Sequence, residues 1–248
     1  MGALVAWGVL LPPMLLPADA RFAADFGWLQ SHFLFSFAHH FEPDNVHLGA
    51  LRVFNDDQLA PHSGYPEHPH AEVEIVHIVL SGTLAHTDGQ GVRTLVRAGG
   101  VLRLTAGTGC RHTEANPSAD APLHLYQLWF RPRERGLQPA IEHRATDFLN
   151  RPAGWTVLLS SAPTGNAVFL NADATVWWAN LEVGRPLPFA ATETRQYLLY
   201  VAAGTVRLNG QVLEINAQAR LTGEKFLTLE AVGEEAAVVL VELGAEGA

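Results

Sequence analysis

The sequence predicts an all-β fold of two antiparallel β-barrels packed in tandem, and three observations lead there. Helical periodicity is scarce, while short runs rich in β-branched and aromatic residues recur between turn signals. A pattern also repeats. HIVLSGTLAHTDG (77–89) lines up with LLYVAAGTVRLNG (198–210), each an apolar run, a small-Gly turn, an apolar strand and a polar-Gly turn. Between the copies stands a polar stretch carrying Pro and Arg, RPRERGLQPAIEHRATDFLNRPAG (131–154), suited to a boundary or exchange segment. A chain of 248 residues fits two such barrels better than one very large sheet.

Taken in order, the chain opens on MGALVAWGVLLPPMLLPADA, with no positive charge before Arg21. Ala18-Asp19-Ala20 has the small-x-small form of a signal-peptidase site, yet no basic segment precedes it and Pro12-Pro13 breaks the apolar run. The run is also too short and interrupted to span a bilayer, which takes ~20 mostly apolar residues. The expectation is a cytoplasmic protein that begins at Met1 or Met14 and is not cleaved after Ala20. The strands of the first barrel follow as LGALRVFN, VEIVHIVLSG, TLAHTDG, RTLVRAG, GVLRLTAG and LHLYQLWF, separated by Ser81-Gly82, Asp88-Gly89 and Ala98-Gly99-Gly100. Asn55-Asp56-Asp57 reads as a turn whose side chains bond the backbone. The second set is WTVLLSS, AVFLNADATVWWANL, RQYLLYVAAGTVRLNG, QVLEIN and KFLTLEA. The expected division is 1–142 for the first barrel with its N-terminal segment and 143–248 for the second.

Composition narrows the function. With 48% hydrophobic and 17% charged residues the chain can bury a core and remain an ordinary globular protein. A formal net charge of −9 argues against general binding to nucleic acid or anionic membranes, both of which need a basic surface. Cys110 is the sole cysteine, which excludes an intrachain disulfide and a zinc-thiolate site and suits a reducing compartment.

All twelve histidines lie between His32 and His143, so histidine chemistry belongs to the first barrel alone and the second serves as a structural partner or lid. GYPEHPHAEVE (64–74) places His68 and His70 two residues apart, and LTAGTGCRHTEANPS (104–118) does the same for His112 and Glu114. Residues i and i+2 of a strand share a face, and Pro69 favours an extended residue before it. Two such pairs on neighbouring strands would present three imidazoles and a carboxylate to one point, a ligand set for a catalytic divalent metal. Imidazole suits iron, copper, nickel, manganese or zinc, and the carboxylate favours the harder ions. Glu72 and Glu74 share parity with His70, so either is placed to accept from an imidazole N–H behind the metal. His77 has opposite parity and is expected on the outer face. His39, His40 and His47 are expected in a solvated loop, and Cys110 as a small buried hydrophobe.

These segments carry a resemblance. HPH followed by AGTGCRHTEAN resembles the two cupin motifs. More narrowly, DFGWLQSHFLFSFAHHFEPDNVHLGALRVFNDDQLAP, HPHAEVEIVHIVLSGTLAHTDG, LTAGTGCRHTEANPS and LHLYQLWFRPRERGLQPAIE resemble, in order, segments of the pirin family. The match is strong from about Pro17 to Glu142 and in outline beyond. The resemblance implies a bicupin, two jelly-roll-like barrels, with a single divalent transition metal in the first. That metal is iron(II) foremost, with zinc, manganese, nickel, copper or cobalt as alternatives. Carried over by position, the family's ligands fall on His68, His70, His112 and Glu114. The chain departs from the family at Ala71, His77 and Gly100, none of them a ligand, which leaves the pocket lining open.

The activity implied is a dioxygenase that cleaves flavonol or catechol-like compounds such as quercetin, with Glu114 or Glu74 as the catalytic base. The alternative is a metal- or redox-sensing regulator acting through a protein partner. A small aromatic substrate and O2 are the expected partners of a monomer that binds neither nucleic acid nor membrane directly.

Overall fold

A computed structural model describes residues 13–245, so the Met1 start and the apolar run before Pro13 lie outside the described residues. In chain order the first strands are β1 (Met14–Leu16), β2 (Phe22–Asp25), β3 (Leu29–Phe33), β4 (Leu51–Leu59), β5 (Gly64–His70) and β6 (Glu74–Ser81). They are followed by β7 (Thr83–Asp88), β8 (Arg93–Arg97), β9 (Gly100–Thr105), β10 (Cys110–Ala115), β11 (Leu123–Phe130) and β12 (Ala140–Ala145). The remainder is β13 (Gly154–Ser160), β14 (Val168–Phe169), β15 (Ala174–Leu181), β16 (Leu187–Ala190) and β17 (Gln196–Ala203). Then come β18 (Val206–Leu208), β19 (Gln211–Leu213), β20 (Gln218–Thr222), β21 (Phe226–Ala231) and β22 (Ala236–Leu243).

Each half packs a seven-stranded sheet against a four-stranded one. The first half has the orders β12-β9-β6-β11-β4-β3-β2 and β5-β10-β7-β8. The second has β1-β20-β17-β22-β15-β13-β14 and β16-β21-β18-β19. The sequence repeat is therefore a repeat of topology, with β5 and β10 answering to β16 and β21. It includes a shared turn. Gly82 after β6 and Gly204 after β17 have φ of +78° and +67°. A Cβ there would stand 2.8 Å from the Pro122 carbonyl oxygen and 2.6 Å from that of Glu235, so only glycine fits either turn. The two β-sandwiches in tandem are the bicupin architecture expected from the sequence.

Two connections cross the expected division. β12 spans 142/143 and stays bonded to β9 along its whole length, whereas β1 pairs with β20 of the second half. We place the boundary between the halves in the segment between β12 and β13.

Three cores hold the molecule. Ile75, Leu84, Val96, Leu104 and Leu125 fill the first barrel, and Phe189, Tyr197, Leu227 and Leu240 belong to the core of the second. The largest core lies between the halves and joins Phe54, Tyr126 and Phe130 to Trp178, Tyr200 and Val239. Strands buried on both faces read as nearly continuous apolar runs, as AAVVLVEL of β22 does. Asn55, Asp56 and Asp57, expected in a turn, lie inside β4 and are buried. Asp57 accepts from Ser31 inside the first barrel, while Asp56 turns to the junction of the halves. There Arg21 Nη1 is 3.1 Å from Asp56 Oδ2, Tyr200 donates to the same oxygen at 2.8 Å, and His124 Nε2 meets Oδ1 at 2.7 Å. Among the described residues no helix is long and apolar enough to cross a membrane.

Candidate metal centre

The four-stranded sheet of the first half builds the site. β5 and β10 pair antiparallel with His112 opposite His68 and Cys110 opposite His70. Directly opposed residues of an antiparallel pair bring their Cβ atoms to about 5 Å, and diagonal neighbours remain within reach of aromatic rings. The rings of His68 and His112 accordingly lie 4.4 Å apart, with His70 at 4.8 Å from the first and 5.1 Å from the second. One donor nitrogen from each of the three falls within 4.8 Å of the others, a group able to hold a metal ion. Gly64 sets the approach of the two strands, since a Cβ there would stand 2.2 Å from the Glu114 carbonyl oxygen.

The nitrogens are prepared for an ion. His68 donates Nδ1–H to the Pro66 carbonyl at 2.8 Å, which leaves Nε2 as its free donor. His112 Nδ1 is 2.8 Å from Nε2 of His86, which projects from the neighbouring β7. Nε2 of His70 and Nε2 of His112 are buried with no hydrogen-bond partner among the described residues. Buried polar atoms rarely go unpaired, and two of them converging on a third imidazole fit a bound cation. Burial lowers the His70 imidazole to about 4, with His68 adding to the effect, and lowers His112 to about 3. Both are neutral near pH 7, as metal ligands must be.

Glu114 is buried on the same face of β10 as His112, but its carboxylate is turned to the opposite sheet. Oε1 lies 3.1 Å from His77 Nε2 and 3.5 Å from His112 Nδ1, and Oε2 accepts from Gln127 Nε2 at 3.3 Å. Trp129 Nε1 donates to Gln127 Oε1 at 2.7 Å, so the amide N–H end of Gln127 faces the carboxylate. The Trp129 ring also meets His70 edge-on at 4.9 Å. Burial pushes the Glu114 carboxyl up, and the charge and hydrogen bonding of His77, aided by His112 and His68, reverse this and hold it at about 2. Nearby Asp57 goes the other way, raised by burial to about 7. The structure thus joins His68, His70 and His112 directly and sets Glu114 beside them.

Parity reasoning across β5 and β6 does not survive the connection between them. Glu72 has a left-handed backbone, φ +53°, and its carboxylate accepts from the Gly136 N–H at 3.1 Å. The chain changes sheets at this point, so the faces of β6 are reset. Glu74 is turned to the junction of the halves, where Oε2 accepts from Thr105 Oγ1 at 3.1 Å and lies 3.9 Å from Arg103 Nε. His77, expected outside, is completely buried inside the barrel. His86 is a further interior residue that pattern reading passed over; its signal was alternation in TLAHTD, whose Leu84 and His86 share a face. Cys110 is partly buried, with its thiol pKa raised by burial. His39 and His40 pack on Phe22.

Two adjoining clefts reach the cluster. One of about 660 Å³ is lined by Pro69, His70, Ala71, Gly109, Cys110 and Arg111, and one of about 320 Å³ leads to His112 past Leu104 and Ile141. A larger cleft of about 700 Å³ between the halves has His124 and Trp178 on its walls and none of the clustered histidines. In the second half the strands matching β5 and β10 carry Leu187, Phe189, Leu227 and Leu229, and Trp155 and Trp177 meet the Phe189 ring edge-on. That barrel is filled with apolar side chains where the first holds its histidines.

Comparison with known proteins agrees with this picture. The pirin family model matches residues 18–130, and the model described as the quercetinase C-terminal cupin domain matches 157–243. A quercetin 2,3-dioxygenase of Escherichia coli strain K12 is 34% identical over 230 residues, covering 92% of this chain and 97% of the relative. A pirin-like protein of Caulobacter vibrioides is 35% identical over 227 residues, covering 91% and 97%. Among solved structures, a bacterial pirin from Escherichia coli in complex with nickel(II) superposes with a TM-score of 0.88 at 32% identity, covering 94% of this chain and 99% of that one.

Proposed function

The chain belongs to the pirin family, and on that basis we propose that it is a metal-dependent dioxygenase cleaving a flavonol, with quercetin as the test compound, or a related catecholic compound. The observation that carries the reading is the convergence of His68, His70 and His112 with two orphaned, buried Nε2 atoms. These three imidazoles would hold one divalent ion, with Glu114 as the adjacent carboxylate. Iron(II) is the ion proposed. The same donors accept nickel, zinc, manganese, copper or cobalt, and a relative is known in complex with nickel(II).

When bound, the ion supplies a Lewis acid that lowers the pKa of a ligated flavonol hydroxyl and stabilises the oxyanion. The residues supply the rest. The apolar cleft of Pro69, Ala71 and Gly109 seats a flat aromatic system against His70. Glu114, ionised at neutral pH, is the base that accepts the hydroxyl proton on a carboxylate oxygen. Glu74 is engaged by Thr105 and Arg103 and is left a structural part. Trp129 braces His70 and, through Gln127, orients the carboxylate. The packed barrel keeps water from the reacting ring, which opens with uptake of O2 and loss of carbon monoxide.

The test follows flavonol absorbance together with carbon monoxide release by the metal-loaded protein. Turnover above that of the free ion, lost on chelation and in His112→Ala, supports the reading. Rates equal to free ion for each candidate metal reject it.

A further inference from the structure

We infer that the cleft of about 700 Å³ between the halves is a second small-molecule site, which takes a small flat carboxylate bearing a hydroxyl, of the hydroxybenzoate class. None of the clustered histidines lines it, so the inference goes beyond the proposed reaction and does not depend on it.

Small side chains make the room. Ala202 and Ala203 end β17, Ala236 and Ala237 begin β22, and Ala203 pairs directly with Ala237. Two Ala-Ala pairs on neighbouring strands leave a bed that larger residues would fill to the usual packing density. Leu80 and Trp178 add apolar walls from the first and second halves. The volume falls within the range of small-ligand pockets, roughly 300–1,000 Å³, and an apolar bed with a few placed polar groups is their usual lining.

The polar groups name the ligand. Glu182 and Glu235 flank the paired ends of β15 and β22, where Leu181 stands opposite Ala236, and Arg185 lies 3.6 Å from Glu182. That end of the cleft carries its own cation. Arg151, in the segment joining the halves, has no carboxylate partner among the described residues. Its Nε donates to the Thr146 carbonyl at 3.2 Å, and its own carbonyl accepts from Asn180 Nδ2 at 2.9 Å. The guanidinium is thus held while both Nη groups are without a protein partner among the described residues, a fork suited to gripping a carboxylate. His124 adds a contact from the first half. Its Nε2 lies 2.7 Å from Asp56 Oδ1, and an ionised carboxylate only accepts, so Nε2 carries the hydrogen. Nδ1 has no partner among the described residues, and in the neutral ring it is an acceptor for a ligand hydroxyl. The side chain is 29% exposed and can be reached from the cleft. A carboxylate on Arg151 and a hydroxyl on His124 would set the ring of the ligand across the apolar bed.

Equilibrium dialysis of the metal-loaded protein against 4-hydroxybenzoate tests this, with the ligand read by its absorbance. A saturable equivalent per chain is expected, and His112→Ala, which removes a metal ligand, should keep it with a Kd within about twofold of wild type. Arg151→Gln should raise the Kd by about tenfold or more, the scale of one charge-assisted pair. Ala203→Phe, at an exposed strand end, fills the bed and should abolish binding. Benzoate and phenol, each lacking one of the two polar groups, should bind at least about threefold more weakly. Binding that does not saturate by about 10 mM, or a Kd unchanged in Arg151→Gln, overturns the inference. Binding lost in His112→Ala but kept in Ala203→Phe would place the compound on the metal and overturn it as well. Should Ala203→Phe not fold, Arg151→Gln decides alone, since that side chain is exposed.

Discussion

Replacing Asp56 with alanine should destabilise the whole protein by roughly 3–5 kcal/mol, the usual effect of removing one partner from a buried ion pair. The magnitude follows from what Asp56 leaves behind. The Arg21 side chain is only 6% exposed and has its carboxylate partner in Asp56 at 3.1 Å. Tyr200, fully buried in the second half, loses the acceptor for its hydroxyl at 2.8 Å, although Asn216 Oδ1 remains at 3.0 Å. His124 is 29% exposed and can turn to water, so it adds little. Asp56→Asn retains an acceptor without the charge and should lose about 2 kcal/mol. Urea unfolding followed by tryptophan fluorescence reports on both halves, with Trp28 and Trp129 in the first and Trp155, Trp177 and Trp178 in the second. One shifted transition is expected, because the largest core joins the halves. The sign with pH is fixed as well. His124, Tyr200 and Arg21 outweigh burial and hold the Asp56 carboxyl below its ordinary value. Its contribution is therefore full above the unfolded value of about 3.9 and fades as pH falls through the folded one. A loss under about 1 kcal/mol, or two separate transitions with one unmoved, would refute the reasoning.

Other outcomes follow from the same geometry. Glu74→Gln should lower stability by about 1–3 kcal/mol, by weakening the junction at Arg103 and Thr105, yet leave metal content and flavonol turnover at wild-type levels; loss of turnover in a folded variant would make Glu74 the base. Gly64→Ala changes no ligand, but its Cβ would meet the backbone of Glu114 and Ala115 at 2.2 and 2.5 Å and push β5 from β10. Metal affinity measured by chelator competition should fall by roughly tenfold or more, and unaltered affinity would show that the strand spacing does not set the site. Burial lowers His70 and His86 to about 4 and His112 to about 3, so on acidification the unfolded chain takes up protons near its reference pKa of ~6.5 before the folded one does. The metal-free protein should lose thermal stability progressively from about pH 6.5 toward 4, and a flat melting temperature across that range would contradict the neutral, buried state of these rings.

The parts of the fold visible in the sequence were those governed by local period. Alternation within GYPEHPH and CRHTEA put His68 with His70 and His112 with Glu114, and a hairpin-like spacing was enough to suggest neighbouring strands. The direction of the Glu114 carboxylate was not visible, because His77 and Gln127 reach it from another sheet. Local parity puts His77 and Glu74 on the wrong faces for one reason, the left-handed Glu72 between β5 and β6, where a count of two residues per face no longer holds. Asn55 to Asp57 looked like a turn because polar residues seldom enter a strand. Here residues distant in sequence provide partners for two of them, Ser31 for Asp57 and Arg21, Tyr200 and His124 for Asp56. The pairing of β1 with the second half is likewise a long-range contact with no local signal.

The central claim is a single metal centre on His68, His70 and His112. Elemental analysis of the purified chain, beside His70→Ala and His112→Ala variants shown to be folded, tests it most directly. One equivalent of divalent transition metal per wild-type chain and essentially none in either variant is the expected result. Two equivalents per chain, or the wild-type content retained in both variants, would contradict it.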